Sequence, residues 1–281
     1  MTSHPEDLEL KDFLLAVGQW PVSPEREENL DLARSFIQQA AARGASLCVL
    51  PEMFQTPYEP ERLRAAGEDE DGPTLRTIRS AAKQWKLHVV AGSFCERREN
   101  KTYNSSFVIG PGGEILGAHR KIHLFDVSLD TVDFRESSVF GAGDRPLVVD
   151  MPFCRLGVAI CYDARFPAVF RYFEERGVEV VALPAAFSRE TGAAHWHVLM
   201  RSRAVESQVY LAAACPGTSK DSTYLAYGHS LIVDPWGAVV AEAGDGRETI
   251  FAGLSAARLG EVRRRLPLLE HRRPDLYKSW T

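Results

Sequence analysis

The stretch AICYDARFP, residues 159–167, joins an apolar run to a short polar turn. The residues that lead into it, RLGVAIC, are mostly small or branched and apolar, which is typical of a buried strand. Pro167 closes the stretch, and proline is favoured at the first position of a helix. Cys161 therefore lies where a predicted strand turns towards a predicted helix, a place where α/β proteins carry functional groups.

The first half of the chain alternates between apolar strands and helices. We predict strands in FLLAVGQW, SLCVLPE and LHVVAGSF, and a hairpin in which YNSSFVIG and EILGAHR flank the turn GPGG. One predicted helix begins at Pro24, with Ser23 as its N-cap, and runs to Gly44. A second one runs from Pro73 through Trp85.

The second half repeats this rhythm. Its predicted strands are PLVVD, RLGVAIC, VEVVALP and VYLAAAC, followed by the hairpin HSLIVDPWGAVVAEA. Helices are predicted from Pro167 to Arg176 and around HWHVLMRSRAVESQ. Near-continuous apolar strands that alternate with helices predict an α/β fold whose sheets are covered by helices on one face.

The sequence predicts a single domain. No repeat, low-complexity tract or Ser/Gly linker interrupts the 281 residues, so we expect a single domain over 1–281 with residues 1–11 as a flexible N-terminal extension. The N-terminus is acidic and lacks an apolar core, and no stretch is apolar and long enough to span a membrane. We therefore expect a cytoplasmic protein without a membrane partner.

The charge and the cysteine content argue against a nucleic-acid-binding protein and against a disulfide-rich protein. The formal net charge of −5, and no basic run longer than RRR at 263–265, argue against a nucleic-acid partner. Five cysteines without close pairs are not a disulfide framework. Cys48 and Cys215 lie in apolar runs and are expected in the core, whereas Cys95 and Cys154 have no activating base nearby in the sequence. Cys161 is the thiol that calls for a chemical explanation.

Two further residues fall where they could meet Cys161. Glu52 ends an apolar strand, and Lys121 follows the second strand of the first hairpin. All three could converge beyond the strand ends, as the groups of α/β sites do. The spacing leaves the purely structural interpretation open, because many strands end in charged residues.

The histidines and the glycine-rich turn offer weaker hypotheses. His195 and His197 alternate like metal ligands on a strand, but they begin a helical pattern and no third ligand follows at a suitable spacing, so we predict no metal. His119 and His123 flank Lys121 and are expected to hold its loop by hydrogen bonds. PGGEILG is a hairpin turn rather than a phosphate site, because no helix follows it.

Several motifs together resemble the nitrilase superfamily of carbon–nitrogen hydrolases. They are PEMFQTPY (51–58), HRKIHLFD (119–126), FRES (134–137), ICYDARFP (160–167) and AFSRETGAAHW (186–196). The chain is most similar to the branch that contains ω-amidase and deaminated-glutathione amidase. The resemblance implies a four-layer α-β-β-α sandwich with two mixed sheets, no cofactor, and a homodimer that pairs through segments 167–176 and 195–207.

The resemblance also implies roles for four residues. Cys161 matches the nucleophile, which attacks an amide carbonyl and forms a thioester. Glu52 matches the proton acceptor, and Lys121, together with the backbone N–H of Tyr162, matches the groups that stabilise the oxyanion. Glu136, in FRES, matches a fourth acidic position near these residues. The loop before it, DVSLDTVDF (126–134), is shorter than the family pattern, so a surface position for Glu136 is the alternative.

The expected substrate is a small amide that carries a carboxylate, such as α-ketoglutaramate or succinamate. The sequence C-Y-D at 161–163 resembles amidases, whereas true nitrilases carry Glu at the third position. The matched substrate-binding positions are Tyr58, Tyr162, Arg165, Phe187 and Thr191. Relatives carry Glu in place of His197, which is a departure from the family pattern.

Four other interpretations remain open at this point. Deaminated glutathione, N-carbamoyl amino acids and simple aliphatic amides are alternative substrates. A catalytically silent scaffold that keeps the fold is the alternative outside enzymes.

Overall fold

The computed structural model describes residues 9–130, 133–218 and 224–277. Residues 1–8 of the expected N-terminal extension therefore lie outside the described residues. Its last two residues do not form a free extension. Leu10 is buried and donates its N–H to the Glu179 carboxylate at 2.6 Å, and Lys11 donates to the carbonyl of Phe153 at 2.9 Å. These bonds tie the first strand to the second half of the chain.

The first half of the chain builds a six-stranded mixed sheet that one late strand completes. In spatial order its strands are β14 (Glu248–Leu254), β1 (Phe13–Gln19), β2 (Leu47–Val49), β3 (His88–Arg98), β4 (Lys101–Ile109) and β5 (Ile115–Arg120). The central strands β1, β2 and β3 are parallel, whereas β14, β4 and β5 pair antiparallel with their neighbours.

The second half builds a sheet with the same pattern. In spatial order its strands are β13 (Val239–Glu242), β12 (Leu231–Val233), β11 (Tyr210–Ala214), β10 (Val180–Pro184), β9 (Cys154–Val158) and β8 (Leu147–Met151). Strands β9, β10 and β11 are parallel, and the flanking strands are antiparallel. The two halves thus repeat one topology, as the sequence rhythm predicted.

The two sheets pack face to face, and helices cover their outer faces. A central apolar core joins inward side chains of both sheets, among them Leu15, Val90, Leu156 and Ile232. A second core lies between the first sheet and the helices α1 (Arg26–Ala42) and α3 (Pro73–Trp85). A third lies between the second sheet and the helices α4 (Pro167–Glu174) and α5 (Arg189–Ser207). This is the predicted α-β-β-α sandwich.

Short elements complete the described fold. They are α2 (Pro60–Ala65), the two-stranded ribbon of β6 (Asp126–Ser128) and β7 (Asp133–Arg135), α6 (Ala256–Arg265) and α7 (Pro274–Tyr277). The predicted start of α1 is two residues early. Ser23 uses its hydroxyl to accept from the N–H of Glu25 and to donate to Glu28, so it orders the turn before the helix, which begins at Arg26.

Candidate active site

Glu52 lies on a tight turn directly after β2. The turn is held by an irregularity in β3, where the N–H of Ser93 donates to the carbonyl of Pro51 and the Ser93 hydroxyl accepts from the N–H of Met53, both at 3.3 Å. Gly92 makes this approach possible, since a Cβ there would lie 2.1 Å from the Pro51 carbonyl oxygen. The turn fixes the backbone on both sides of Glu52.

Cys161 lies on a 3₁₀ turn, Cys161–Arg165, between β9 and α4. Its φ of 45° falls in the left-handed region, which costs a residue with a Cβ about 1–2 kcal/mol. The thiol residue is 6% exposed, whereas the four other cysteines are completely buried. The turn thus presents the one cysteine that small molecules can reach.

The Asp163 carboxylate ties the cysteine turn to the loop that carries Lys121. It accepts hydrogen bonds from the N–H of Ile160 at 3.1 Å and from the N–H of His123 at 3.0 Å. Ring nitrogens of His119 and His123 lie 3.0 and 2.8 Å from its oxygens. Burial alone would raise the pKa of Asp163, but these bonds hold it well below its usual range. The prediction that both histidines hold this loop is confirmed.

Lys121 is completely buried just beyond β5. Its ammonium lies 2.9 Å from the Glu52 carboxylate and 2.8 Å from that of Glu136. The backbone of Lys121 is fixed on both sides, because its N–H donates to Asn104 at 2.9 Å and its carbonyl accepts from Gly143 at 2.8 Å. The position of the charge is therefore set by the hairpin rather than by a flexible loop.

Glu136 is completely buried at the start of a 3₁₀ turn after β7, and the alternative of a surface carboxylate is wrong. Its carboxylate accepts from the Tyr58 hydroxyl at 2.8 Å and from the N–H of Phe125 at 2.6 Å. Asn104 donates its side-chain amide to both Glu136, at 3.0 Å, and Glu52, at 2.7 Å. The shortened loop before Glu136 still delivers it to Lys121.

Electrostatics couple Cys161 to Glu52. Burial raises the pKa of the Cys161 thiol well above its usual range, the Glu52 carboxylate raises it further, and Lys121 opposes both. Burial also raises the pKa of Glu52, against the charge of Lys121. A proton that passes from thiol to carboxylate leaves the net charge of this pair unchanged. The arrangement therefore favours joint proton transfer over a permanent thiolate.

Lys121 itself stays charged. Burial alone would lower the pKa of its ammonium, but Glu136 and Glu52 together raise it above the usual lysine value. The group is thus a fixed buried cation beside the thiol and the two carboxylates.

A pocket beside the thiol contains every predicted substrate-binding residue. Its lining includes Cys161 together with Tyr58, Tyr162, Arg165, Phe187 and Thr191, and also Phe125, Ala186 and Tyr224. We call it the thiol pocket. The Arg165 guanidinium lies 5.1 Å from the ring centre of Phe187 and 3.3 Å from Nδ1 of His195. Thr191 lies in the first turn of α5, where its N–H donates to the N-cap Ser188.

Neither of the two alternating histidines lines this pocket. His197 contacts the Glu242 carboxylate at 2.8 Å, and Glu242 also contacts His229 at 3.1 Å. His195 contacts Arg165 instead. Within residues 9–130, 133–218 and 224–277, no group of three His, Cys, Asp or Glu side chains is placed to hold a metal ion. The departure at position 197 therefore does not alter the lining of the thiol pocket.

Sequence reasoning missed Asn104, Asp163 and Tyr224 as parts of the site. Asn104 is completely buried, but it lies in the polar first part of β4, KTYNSS, so the sequence did not distinguish it from its polar neighbours. Asp163 stands two residues after Cys161, and this position was interpreted only as a feature that distinguishes amidases from nitrilases. Tyr224 follows a stretch without periodic pattern, so nothing in the sequence indicated its place in the pocket wall.

The family comparison agrees with this geometry. The carbon–nitrogen hydrolase family profile matches residues 14–264. The chain therefore belongs to the carbon–nitrogen hydrolase family, and it is a hydrolase that acts on carbon–nitrogen bonds.

Individual relatives indicate which branch of the superfamily the chain resembles. The omega-amidase NIT2 of Xenopus tropicalis is 39% identical over 266 residues, which cover 94% of this chain and 96% of that protein. The omega-amidase NIT2 of Homo sapiens is 38% identical over 269 residues, covering 95% and 98%. The resemblance to the ω-amidase branch of the nitrilase superfamily is confirmed.

Solved structures share the fold. Saccharomyces cerevisiae Nit3, a member of branch 10 of the nitrilase superfamily, has a TM-score of 0.87 and 33% identity, covering 97% of this chain and 100% of that one. The C. elegans NitFhit protein also has a TM-score of 0.87, with 30% identity over 96% of this chain and 67% of that one. Among the residues that the structure describes, no helix is long and apolar enough to cross a membrane.

Proposed function

We propose that this protein is a cysteine-dependent amidase of the ω-amidase type. It hydrolyses a small amide with a distal carboxylate, such as succinamate or α-ketoglutaramate, to the acid and ammonia through a thioester. The observation that carries the proposal is that a reachable thiol, Cys161, and one arginine, Arg165, line the same pocket. The buried acid–base cluster of Glu52, Lys121 and Glu136 lies beside that thiol. The similarity to the omega-amidases NIT2 supports the same substrate class.

Acylation uses Cys161 and Glu52 as a pair. Glu52 accepts the thiol proton while the sulfur attacks the amide carbonyl, so no free thiolate has to persist in a buried site. Glu52 then gives this proton to the departing nitrogen, which leaves as ammonia when the C–N bond breaks. The raised pKa of Glu52 suits a group that must both take and return a proton near neutral pH.

The tetrahedral intermediate carries a negative charge on the former carbonyl oxygen. The Lys121 ammonium and the backbone N–H of Tyr162 are the donors for this oxyanion, each contributing about 3–4 kcal/mol in comparable sites. Glu136 acts through Lys121 as a positioning residue, because its carboxylate holds the ammonium at 2.8 Å opposite Glu52. Water then attacks the thioester, with Glu52 as its proton acceptor.

Arg165 is the group that recognises the distal carboxylate. A carboxylate taken out of water without a partner costs several kcal/mol, so a pocket for such a substrate needs a cation or several donors. Arg165 supplies the cation, Thr191 a hydroxyl and Phe187 an apolar wall, while Tyr58 and Tyr162 line the path towards the thiol.

A matched panel of amides tests the substrate class. We expect ammonia release from succinamate and α-ketoglutaramate at a kcat/KM at least about 100-fold above that for propionamide, because a hydrogen-bonded ion pair contributes about 1.5–3 kcal/mol. Deaminated glutathione and an N-carbamoyl amino acid complete the panel. Equal values for propionamide and succinamate would mean that the distal carboxylate is not recognised and that the enzyme is a general aliphatic amidase.

Removal of the arginine charge separates recognition from chemistry. Arg165→Gln is expected to raise KM for succinamate at least about tenfold and to leave turnover of propionamide within twofold. Arg98→Gln, at the exposed end of β3, is the control and should change neither substrate. An equal loss on both amides in Arg165→Gln would assign the arginine to the structure of the turn instead.

We also propose that the protein is a homodimer that pairs through α4 and α5. Val198 and Val205 of α5 are seven residues apart on one side of the helix and are 63% and 37% exposed. Light scattering should give twice the chain mass of 31.3 kDa, and Val198→Asp should shift the mass towards the monomer. A wild-type monomer at micromolar concentration would contradict the proposal.

We further propose that the protein is located in the cytoplasm. The five unpaired cysteines support this location, because disulfides are rare in that compartment.

A further inference from the structure

A second pocket adjoins the thiol pocket on the side of Glu52. It shares Tyr58, Ala186 and Tyr224 with the thiol pocket, so the two spaces meet at one wall. Its other lining residues are Glu52, Val22, Met53, Thr56, Pro57, Pro216, Gly217 and Ala226. We call it the carboxylate pocket.

The carboxylate pocket leads outward. An open surface groove shares Val22 and Pro57 with it and continues along Trp20, Ser23 and Leu32 at the start of α1. Val22 therefore lies between the carboxylate pocket and the surface groove. Arg165 lines the thiol pocket and neither of these two spaces.

The Glu52 carboxylate is hydrogen-bonded to the Cys161 thiol before the reaction, and acylation of Cys161 removes this partner. Its Oε1 is held by the Lys121 ammonium at 2.9 Å and by the Asn104 amide at 2.7 Å. Its Oε2 is buried and accepts no hydrogen bond from an oxygen or nitrogen donor among the described residues. Once Cys161 is acylated and the thiol hydrogen bond is gone, this buried carboxylate oxygen is a site for a small polar molecule, because an unmade hydrogen bond there costs free energy.

The chemistry needs such a second space. In the proposed mechanism, the acyl chain occupies the thiol pocket after acylation of Cys161 and its carboxylate binds Arg165, so the substrate itself takes up that side of the site. Ammonia must still leave and water must still reach the thioester carbon while Glu52 accepts its proton.

We propose that the carboxylate pocket is the site of the leaving ammonia and of the attacking water, and that both exchange with solvent past Val22 and Pro57. The inference rests on the proposed thioester mechanism. Glu52 is the one charged residue among the described residues that line this pocket, which suits uncharged ammonia and water.

Small nucleophiles of increasing size probe the passage. Hydroxylamine, O-methylhydroxylamine and O-benzylhydroxylamine present the same nitrogen and differ in bulk. In each case the nitrogen attacks the thioester carbon, the C–S bond breaks, and the nitrogen proton passes through Glu52 to the sulfur. The ratio of hydroxamate product to free acid reports how well each nucleophile reaches the carbon. A p-nitrophenyl ester of succinate serves as acyl donor, so that Cys161 is loaded whatever the amide specificity.

Val22→Phe narrows the passage and Val22→Ala widens it. We expect Val22→Phe to lower the ratio of hydroxamate to free acid for O-methylhydroxylamine at least tenfold relative to the same ratio for hydroxylamine. We also expect it to raise the fraction of protein present as thioester during turnover, measured by intact-protein mass spectrometry. Val22→Ala should raise the product ratio for O-methylhydroxylamine and lower the thioester fraction. Leu32→Phe adds a ring in the surface groove outside the carboxylate pocket, and it should leave both within twofold of the wild type.

The outcomes are separable. The proposed passage past Val22 would be wrong if both Val22 variants left the product ratios and the thioester fractions unchanged. It would also be wrong if Leu32→Phe changed these quantities as much as Val22→Phe does. If Val22→Phe does not fold, Val22→Ala alone decides, because the passage requires it to favour the bulkier nucleophiles. Failure of the proposed function looks different: the ester then acylates Cys161 normally, while succinamate and α-ketoglutaramate release no ammonia.

Discussion

Cys161→Ala is expected to abolish ammonia release from succinamate, with kcat at least about 10⁴-fold below the wild type. The reason is that the proposed thioester requires the sulfur, and the nearby hydroxyls of Tyr58 and Tyr224 have pKa values raised well above the usual tyrosine value by burial. The substitution removes one atom from a turn that Asp163 holds by other bonds, so the melting temperature should change little. Steady-state kinetics and thermal melts check both expectations.

Cys154→Ala is the matched control. Cys154 is completely buried in β9, the same strand that leads to Cys161, and it lies in the core between the sheets. We expect a loss of stability of about 1 kcal/mol from the small cavity and unchanged kcat. Residual activity of Cys161→Ala close to that of Cys154→Ala would exclude a thioester at Cys161.

Thiol labelling separates the enzyme from the silent scaffold. Iodoacetamide should modify Cys161 first, because it alone among the cysteines is partly exposed and has Glu52 beside it as a proton acceptor. The four other cysteines are completely buried, so the protein shields their thiols from the reagent. Equal labelling of all five thiols would favour the scaffold.

The sequence predicts the parts of this fold that depend on local pattern. The strands that lead to Glu52 and Cys161 are short apolar runs with a polar residue after them, and both elements occur as predicted. Strand β14 was not predicted, because its antiparallel pairing with β1 joins positions more than 200 residues apart in the chain. Its burial alternates with partly exposed positions, so the apolar run that marked the other strands is weaker there.

The same distinction applies to the site. Residue types at strand ends suggested that Glu52, Lys121 and Cys161 could meet, and the structure brings them together. The hydrogen bonds of Asn104 to two carboxylates, and those of Asp163 to both histidines, join elements that are remote in sequence. Such partners depend on the packing of the two sheets, which periodicity alone does not encode.

Lys121→Met is the second substitution for which we expect a large effect. It removes the ammonium between two buried carboxylates and keeps most of the volume of the side chain. We expect kcat to fall at least about 1000-fold, because the substitution removes one of the two proposed oxyanion donors and Glu52 no longer has a cation to hold it in its charged form. Lys101→Met, at the exposed start of β4, is the control and should retain full activity. Near-normal activity of Lys121→Met would make the lysine structural.

The stability of Lys121→Met should depend on pH in a direction that the geometry fixes. Burial and Glu136 already raise the pKa of Glu52, and without Lys121 nothing of comparable strength opposes them. A carboxyl group whose pKa is higher in the folded than in the unfolded state stabilises the fold below its unfolded pKa of about 4.3 and loses that contribution as pH rises. Breaking a buried pair costs about 3–5 kcal/mol. The melting temperature of Lys121→Met should therefore lie below that of the wild type by about 10 °C at pH 8 and by clearly less at pH 5. A deficit that is the same at both pH values would show that the loss comes from packing, and the two carboxylates would then not depend on Lys121 for their charge.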